Sequence, residues 1–110
     1  MSGGGGGGYS RGGREQYTPP QCEDISFDAQ LTSPNPALVP GLRVAEVLDV
    51  SVATTGGRRV VQVTKGGQLL GGLVGPDASR IRDCMDNGHQ YKATVLNVNS
   101  GQVLVRVEHV

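Results

Sequence analysis

The sequence predicts a mainly-β domain: a small, partly open barrel of five or six short strands with one short α-helix, set behind a disordered glycine-rich head. Three observations predict it. From Ile25 onward, apolar side chains alternate with polar ones at a period of two in one short run after another, and glycine pairs punctuate the runs. A single stretch, Pro76 to Asn87, instead repeats its apolar residues at three- and four-residue spacing. Large rings are scarce, with no Trp, one Phe and three Tyr, so the interior must be filled by Val and Leu, which suits a narrow barrel.

The chain of 110 residues has room for one domain, and its first part is expected not to join it. Ser2 to Gly13 is nearly all glycine, each losing backbone entropy on ordering and burying no side chain in return. Tyr17-Thr18-Pro19-Pro20 then forms an extended spacer, because paired prolines forbid helix. Residues 1–21 are therefore read as disordered head and spacer, and residues 22–110 as the barrel domain.

Within the domain, Ile25, Phe27, Ala29 and Leu31 alternate with Ser26, Asp28 and Gln30 as a strand with one wet face. Prolines 34, 36 and 40 break the chain into an irregular connection. Val44 to Val52 resumes the alternation, with Val44, Leu48, Val50 and Val52 on one face. Gly56-Gly57 turns it into a hairpin partner, Arg59 to Thr64, and Gly66-Gly67 turns again into Gln68 to Val74. Inside that last strand Gly71-Gly72 marks a bulge or the close approach of another backbone. The helix starts at Pro76, presents Ala78, Ile81, Cys84 and Met85 on one face, and closes at Asn87-Gly88. A final hairpin runs from His89 through the turn Asn99-Ser100-Gly101 to Glu108, with Tyr91, Ala93 and Val95, then Val103, Val105 and Val107, facing one side.

No apolar run approaches the roughly 20 residues of a membrane span, and no apolar stretch with a small-residue cleavage site opens the chain, so the expected location is cytoplasmic. In that compartment Cys22 and Cys84 are expected to stay free thiols. Formal charge is zero in total but unevenly spread. Residues 22–57 set Glu23, Asp24, Asp28, Glu46 and Asp49 against Arg43, whereas residues 58–110 are basic on balance.

No catalytic constellation emerges. The glycine run is not a phosphate cradle, since no strand precedes it and no Gly-Lys-Ser/Thr step follows. His89 is read as a helix-to-strand junction residue and His109 as too near the chain end for a preorganised base. The acidic residues have no apolar pocket to shift a pKa. No set of residues has metal-ligand spacing, and no cofactor or small-molecule substrate is indicated.

Across residues 60–98, the strand Val60-Val61-Gln62-Val63, the run Gly67-Gln68-Leu69-Leu70-Gly71-Gly72-Leu73, the helix Asp77 to Asn87 with Gly88, and Tyr91-Lys92-Ala93-Thr94-Val95 resemble the second half of a HIRAN domain. The resemblance implies a small barrel related in shape to OB-folds, in a family whose characterised members bind single-stranded DNA ends. The family's Arg-Glu-Pro stretch with its following Asn-Pro and Asp has no counterpart here, so no contact residue is carried over.

Two functions follow as expectations. The first is a non-catalytic module that self-assembles, as a homo-oligomer, or binds a protein partner. Val60 beside Val61, Leu69 beside Leu70, Val95 beside Leu96 and Val103 beside Leu104 make both strand faces apolar, and Leu70, Leu96 and Leu104 are the candidate interface. The alternative is a single-stranded nucleic-acid-binding barrel with an Arg/Gly-containing tail, in which Arg58, Arg59, Lys65, Lys92 and Arg106 supply phosphate contacts.

Overall fold

Three two-residue turns set the order of the strands. Gly56-Gly57, Gly66-Gly67 and Ser100-Gly101 have positive φ at both positions, the geometry whose twist matches that of the strands on either side. They join β2 (Val47–Thr55) to β3 (Arg58–Lys65), β3 to β4 (Gln68–Leu73), and β5 (Tyr91–Asn99) to β6 (Gln102–His109). β1 (Ser26–Gln30) precedes them, and α1 (Pro76–Asp86) separates β4 from β5. A computed structural model describes residues 20–110. The glycine-rich head, expected to be disordered, lies outside the described residues except for the end of its spacer.

The six strands form one antiparallel sheet in the order β1-β6-β5-β2-β3-β4. The sheet is not a closed barrel. Its two ends meet at a single bridge, where Thr32, just past β1, exchanges backbone hydrogen bonds of 2.9 and 3.0 Å with Gly72 of β4. The Asn35 N–H then donates to the Leu70 carbonyl at 2.7 Å, which keeps the crossing segment along β4. The glycine pair makes this approach possible. A Cβ on Gly71 would lie 3.0 Å from Leu31 Cβ and 3.1 Å from the Thr32 carbonyl oxygen, and one on Gly72 would lie 2.7 Å from Thr32 Oγ1. The register between β3 and β4 also slips between Val63 and Thr64, leaving Leu70 as the extra residue. Bulge and close approach thus occur together at the glycine pair.

The core is aliphatic and alternates strand by strand. Val61 and Val63, then Tyr91, Ala93 and Val95, then Val103, Val105 and Val107 all point inward and are buried. Ile25 and Leu31 are buried at the two ends of β1, with Phe27 and Ala29 half-buried between them. Helix α1 lays Ala78, Ile81 and Cys84 on this core. It ends where the Gly88 N–H donates to the Met85 carbonyl and the His89 N–H to the Cys84 carbonyl, each at 3.1 Å. That paired arrangement requires the positive φ of Gly88.

Two expectations are corrected. The second strand begins at Val47 rather than Val44. A turn precedes it, in which the Glu46 N–H donates to the Arg43 carbonyl at 3.1 Å and the Arg43 N–H donates to Glu46 Oε1 at 3.0 Å. Ala45 takes positive φ to complete that turn, and Val44 is left exposed instead of sharing a face with Leu48. The cysteines are not free thiols: Cys22 and Cys84 form a disulfide with a Cα–Cα distance of 5.8 Å, and no free cysteine is present among the described residues. Their separation of 62 in sequence hid a proximity that the fold creates. The short 3-10 turn Cys22–Asp24 is held over the end of the sheet by the Tyr91 hydroxyl, which donates to the Cys22 carbonyl at 2.6 Å. Burial raises the pKa of that hydroxyl and keeps it a donor. Cys84 reaches the same place from the inward face of α1. No helix among the described residues is long and apolar enough to cross a membrane.

Ile81 is fully buried in the only apolar stripe of α1. Ile81→Asp is expected to destabilise the domain by about 3 kcal/mol or more in urea melts, whereas Arg80→Asp, on the wet side, stays close to neutral. A second expectation concerns the disulfide. Closing a loop of 62 residues lowers the entropy of the unfolded chain by an amount worth about 4 kcal/mol on the chain-entropy model. The thermal midpoint is therefore expected to fall when reductant is added to the wild type. It is expected not to respond in a Cys22→Ala/Cys84→Ala variant.

Candidate binding site

The strand parity that buries Val61 and Val63 turns Val60 and Gln62 outward, where they sit opposite Ala53 and Ser51 of β2. On β4, Leu69 lies opposite Thr64 on the same outer side, and Val74 follows at the strand's end. These aliphatics are exposed to an unusual degree for their size, at 38% for Val60, 53% for Leu69 and 71% for Val74. They line a groove of about 440 Å³ together with Thr32 and Ser33 of the crossing segment, Thr55 and Arg59 of the first hairpin, and Ala78, Ser79 and Arg82 of α1. The groove therefore exists because the crossing segment is pinned to Gly72 on one side and α1 follows β4 after only Val74 and Gly75 on the other.

Its lining is aliphatic and hydrogen-bonding, with hydroxyls from Thr32, Ser33, Thr55 and Ser79 and the amide of Gln62. Among the described residues no aromatic side chain lines it. Both of its arginines are paired to helix carboxylates: Arg59 makes a two-pronged ion pair with Asp86, and Arg82 Nε lies 3.7 Å from an Asp83 oxygen. The hydrogen bonds from Arg59 hold the Asp86 carboxyl below its ordinary pKa and raise the pKa of the guanidinium in turn.

The basic residues expected to contact phosphate are not brought together. Of the five, only Arg59 lines the groove. Lys65, at the far end of β3, pairs with Glu46. Arg106 on β6 pairs with Asp28 directly opposite on β1, at 2.8 and 3.2 Å. Hydrogen bonding from Lys65 lowers the pKa of Glu46, and hydrogen bonding from Arg106 lowers that of Asp28. Lys92 stands between its strand neighbours Asp49 and Glu108. Arg58 lies beside the Gly56-Gly57 turn and makes no ion pair among the described residues.

The expected leucine interface is also divided. Leu70 is fully buried, because the bulge turns it into the core, and it offers no surface to a partner. Leu96 is the extra residue where the β5–β6 register slips between Val95 and Asn97. Leu104 sits between Gln30 and Asn97 on the outer side, and both leucines are half-buried. Tyr91 faces inward, as its alternation predicts.

Sequence reasoning missed two features. Val60, Leu69 and Val74 were legible as apolar residues at both strand parities, but their convergence needs the crossing segment. The two histidines, read as unrelated, are neighbours: His89 Nδ1 lies 3.0 Å from His109 Nε2, and Tyr91 packs edge-on against His109. Among the described residues no group of three or more His, Cys, Asp and Glu is placed to hold a metal ion. No protein-family model matches the chain, and neither a curated protein nor a solved structure matches it.

The Arg59–Asp86 pair ties the first hairpin to α1, so its removal is expected to be felt as stability. Arg59→Glu sets a third carboxylate beside Asp83 and Asp86 and is expected to lower the urea midpoint, while Arg58→Glu leaves it unchanged. Restoring attraction with Arg59→Glu/Asp86→Arg is expected to recover the loss. The sign with pH follows from the lowered carboxyl. Its contribution is complete above its ordinary value of 3.8 and is lost as pH falls through the lower folded value. Acid melts between pH 5 and about pH 2 are thus expected to steepen in the wild type relative to Arg59→Ala.

Proposed function

We propose that this domain is a non-catalytic binding module that accepts an extended segment of a partner protein in the groove of β3, β4 and α1. One observation carries the reading: Val60, Leu69 and Val74 stay exposed on a groove whose arginines are already paired with carboxylates. Aliphatic contact and the surrounding hydroxyls and amide then supply the affinity, and a polyanion gains little there. Leu96 and Leu104 offer a separate outer patch through which a homo-oligomer would form.

We further read the sheet as a partly open barrel of OB type, the form a HIRAN-like chain would take. The run β2-β3-β4-helix-β5-β6, with β2 between β3 and β5, supports this. That topology is also what favours a second reading. OB-folds bind oligonucleotides on the face of their second and third strands, which here correspond to β3 and β4, the strands of the groove. Against it stand a lining that holds no aromatic stacking platform among the described residues and the pairing of Arg59, Lys65 and Arg106. The expectation of free thiols rested on the cytoplasmic placement, and the Cys22–Cys84 bond shifts the proposed setting to an oxidising one.

Selection of a random peptide library on the immobilised full chain tests the primary reading. Peptides carrying two or more aliphatic side chains are expected to be enriched, and Leu69→Asp is expected to abolish their binding without changing the fold. Enrichment that ignores Leu69, or none at all, overturns the proposal. Light scattering of the same wild-type sample shows whether the segment belongs to a second copy. Anisotropy with a mixed single-stranded oligonucleotide addresses the second reading. Arg58 and Lys92 are the two of the five basic residues that make no ion pair among the described residues, so the expected salt slope is about −1 to −2 and the affinity weak. A steep slope with tight binding favours the oligonucleotide over the peptide.

A further inference from the structure

His89 and His109 are the chain's two histidines, twenty positions apart in sequence. The fold holds both backbones firmly. His89 follows α1 after Asn87 and Gly88 and donates its N–H to the Cys84 carbonyl at 3.1 Å, within the turn that ends the helix. His109 pairs with Tyr91 at the end of the β5–β6 ladder, and the Val110 N–H donates to the Gln90 carbonyl at 2.9 Å just beyond it. The rings therefore meet without any loop having to order. Their centroids are 5.2 Å apart at an interplanar angle of 64°, and Nδ1 of His89 lies 3.0 Å from Nε2 of His109. Both residues are half-buried, so the pair is not sealed inside the core.

We propose that this pair is a bidentate imidazole site for a divalent transition-metal ion, Cu²⁺ ahead of Ni²⁺ and Zn²⁺. Two imidazole nitrogens already brought together on fixed backbones carry the proposal. With metal–nitrogen bonds of about 2.05 Å, two donors at a right angle stand about 2.9 Å apart, whereas two at the tetrahedral angle stand about 3.3 Å apart. The observed 3.0 Å is the length of the N–H···N contact and falls between the two, so a small rotation of the rings reaches either geometry. Imidazole suits these ions, and the order of affinities for nitrogen donors places copper first. Water fills the remaining positions, since no third protein ligand joins the pair among the described residues.

The proton balance is simple. In the neutral pair, one imidazole donates its N–H across the 3.0 Å contact and the other accepts. A metal needs both lone pairs, so the donor ring moves its proton to its other nitrogen and a small rotation of each ring aims the nitrogens at the ion. The neutral pair releases no net proton, and a singly protonated pair releases one. Metal binding is therefore expected to weaken in acid.

The experiment uses the full chain without a histidine tag. Cu²⁺ is titrated while amide signals are followed by NMR, where the paramagnetic ion broadens its neighbours. Broadening is expected to saturate at one ion per chain and to centre on His89, Gln90, Tyr91, His109 and Val110. Isothermal titration is expected to give Zn²⁺ an affinity about tenfold or more below that of Cu²⁺. His89→Gln and His109→Gln are each expected to weaken Cu²⁺ about tenfold or more, because either loss leaves a single donor without its preplaced partner. Retained affinity in both variants overturns the site, as does broadening centred elsewhere in the wild type. The wild-type map needs no variant, so a failure of either substitution to fold does not spoil the test.

Discussion

The meeting of Thr32 with Gly71 and Gly72 is the constraint on which the remaining structure depends. A sheet whose strands run β1-β6-β5-β2-β3-β4 has two ends, and every inward side chain near those ends is exposed unless something joins them. Here a backbone joins them, lying so close to β4 that a Cβ on Gly72 would fall 2.7 Å from Thr32 Oγ1. The interior this leaves is narrow enough for Val, Leu, Ile and Ala to fill it with one inward tyrosine and no tryptophan. The same contact forces Leu70 inward at the bulge and leaves Leu69 outward beside it. One close approach thus sets both the core and the candidate groove.

A second tie acts at the other end of the sheet. Cys22 is bonded to Cys84, and its carbonyl accepts from Tyr91, so the segment leading into β1 is anchored to α1 and to β5 together. Helix α1 has eleven residues, too few to persist alone, and its burial of Ala78, Ile81 and Cys84 is therefore inseparable from this anchoring. The helix in turn holds Arg59 through Asp86 and ends in the turn that places His89. Through these contacts the hairpin tip, the helix and the histidine pair belong to one mechanical unit.

Much of this was legible where the signal is local. The alternation of Val103, Val105 and Val107, the spacing of Ala78, Ile81 and Cys84, and the glycine turns each obey a rule that spans a few residues, and each appears where the rule puts it. Gly71-Gly72 even announced a close approach, though not by which backbone. What could not be read was set by pairs distant in sequence: Cys22 with Cys84, Thr32 with Gly72, Arg106 with Asp28, and His89 with His109. No short-range pattern encodes these, because the sheet order brings them together. Val44 failed for a different reason. A side chain, Glu46, captured the Arg43 N–H and turned the chain before the strand began, a local competition that alternation ignores.

The placement of charge bears on how a groove of this kind recognises anything. Three cations that looked available in the sequence join elements remote in the chain: Arg59 joins β3 to α1, Lys65 joins β3 to the turn before β2, and Arg106 joins β6 to β1. A phosphate that recruited one of them would have to displace a carboxylate already in contact and leave that carboxylate unpaired. Exposed pairs of this kind contribute only modestly to stability singly, though enough to move a melting midpoint. Competition from the paired carboxylate nevertheless reduces what each cation has left to offer an incoming anion. Long-range attraction is weakened in the same way, since cation and carboxylate cancel within a few ångströms, well inside the screening length of about 8 Å at physiological salt. Discrimination in the groove then falls to shape and to the hydroxyl and amide hydrogen bonds around Val60, Leu69 and Val74. Such recognition depends on a segment that presents its own aliphatic side chains and backbone at the right spacing, and only weakly on net charge.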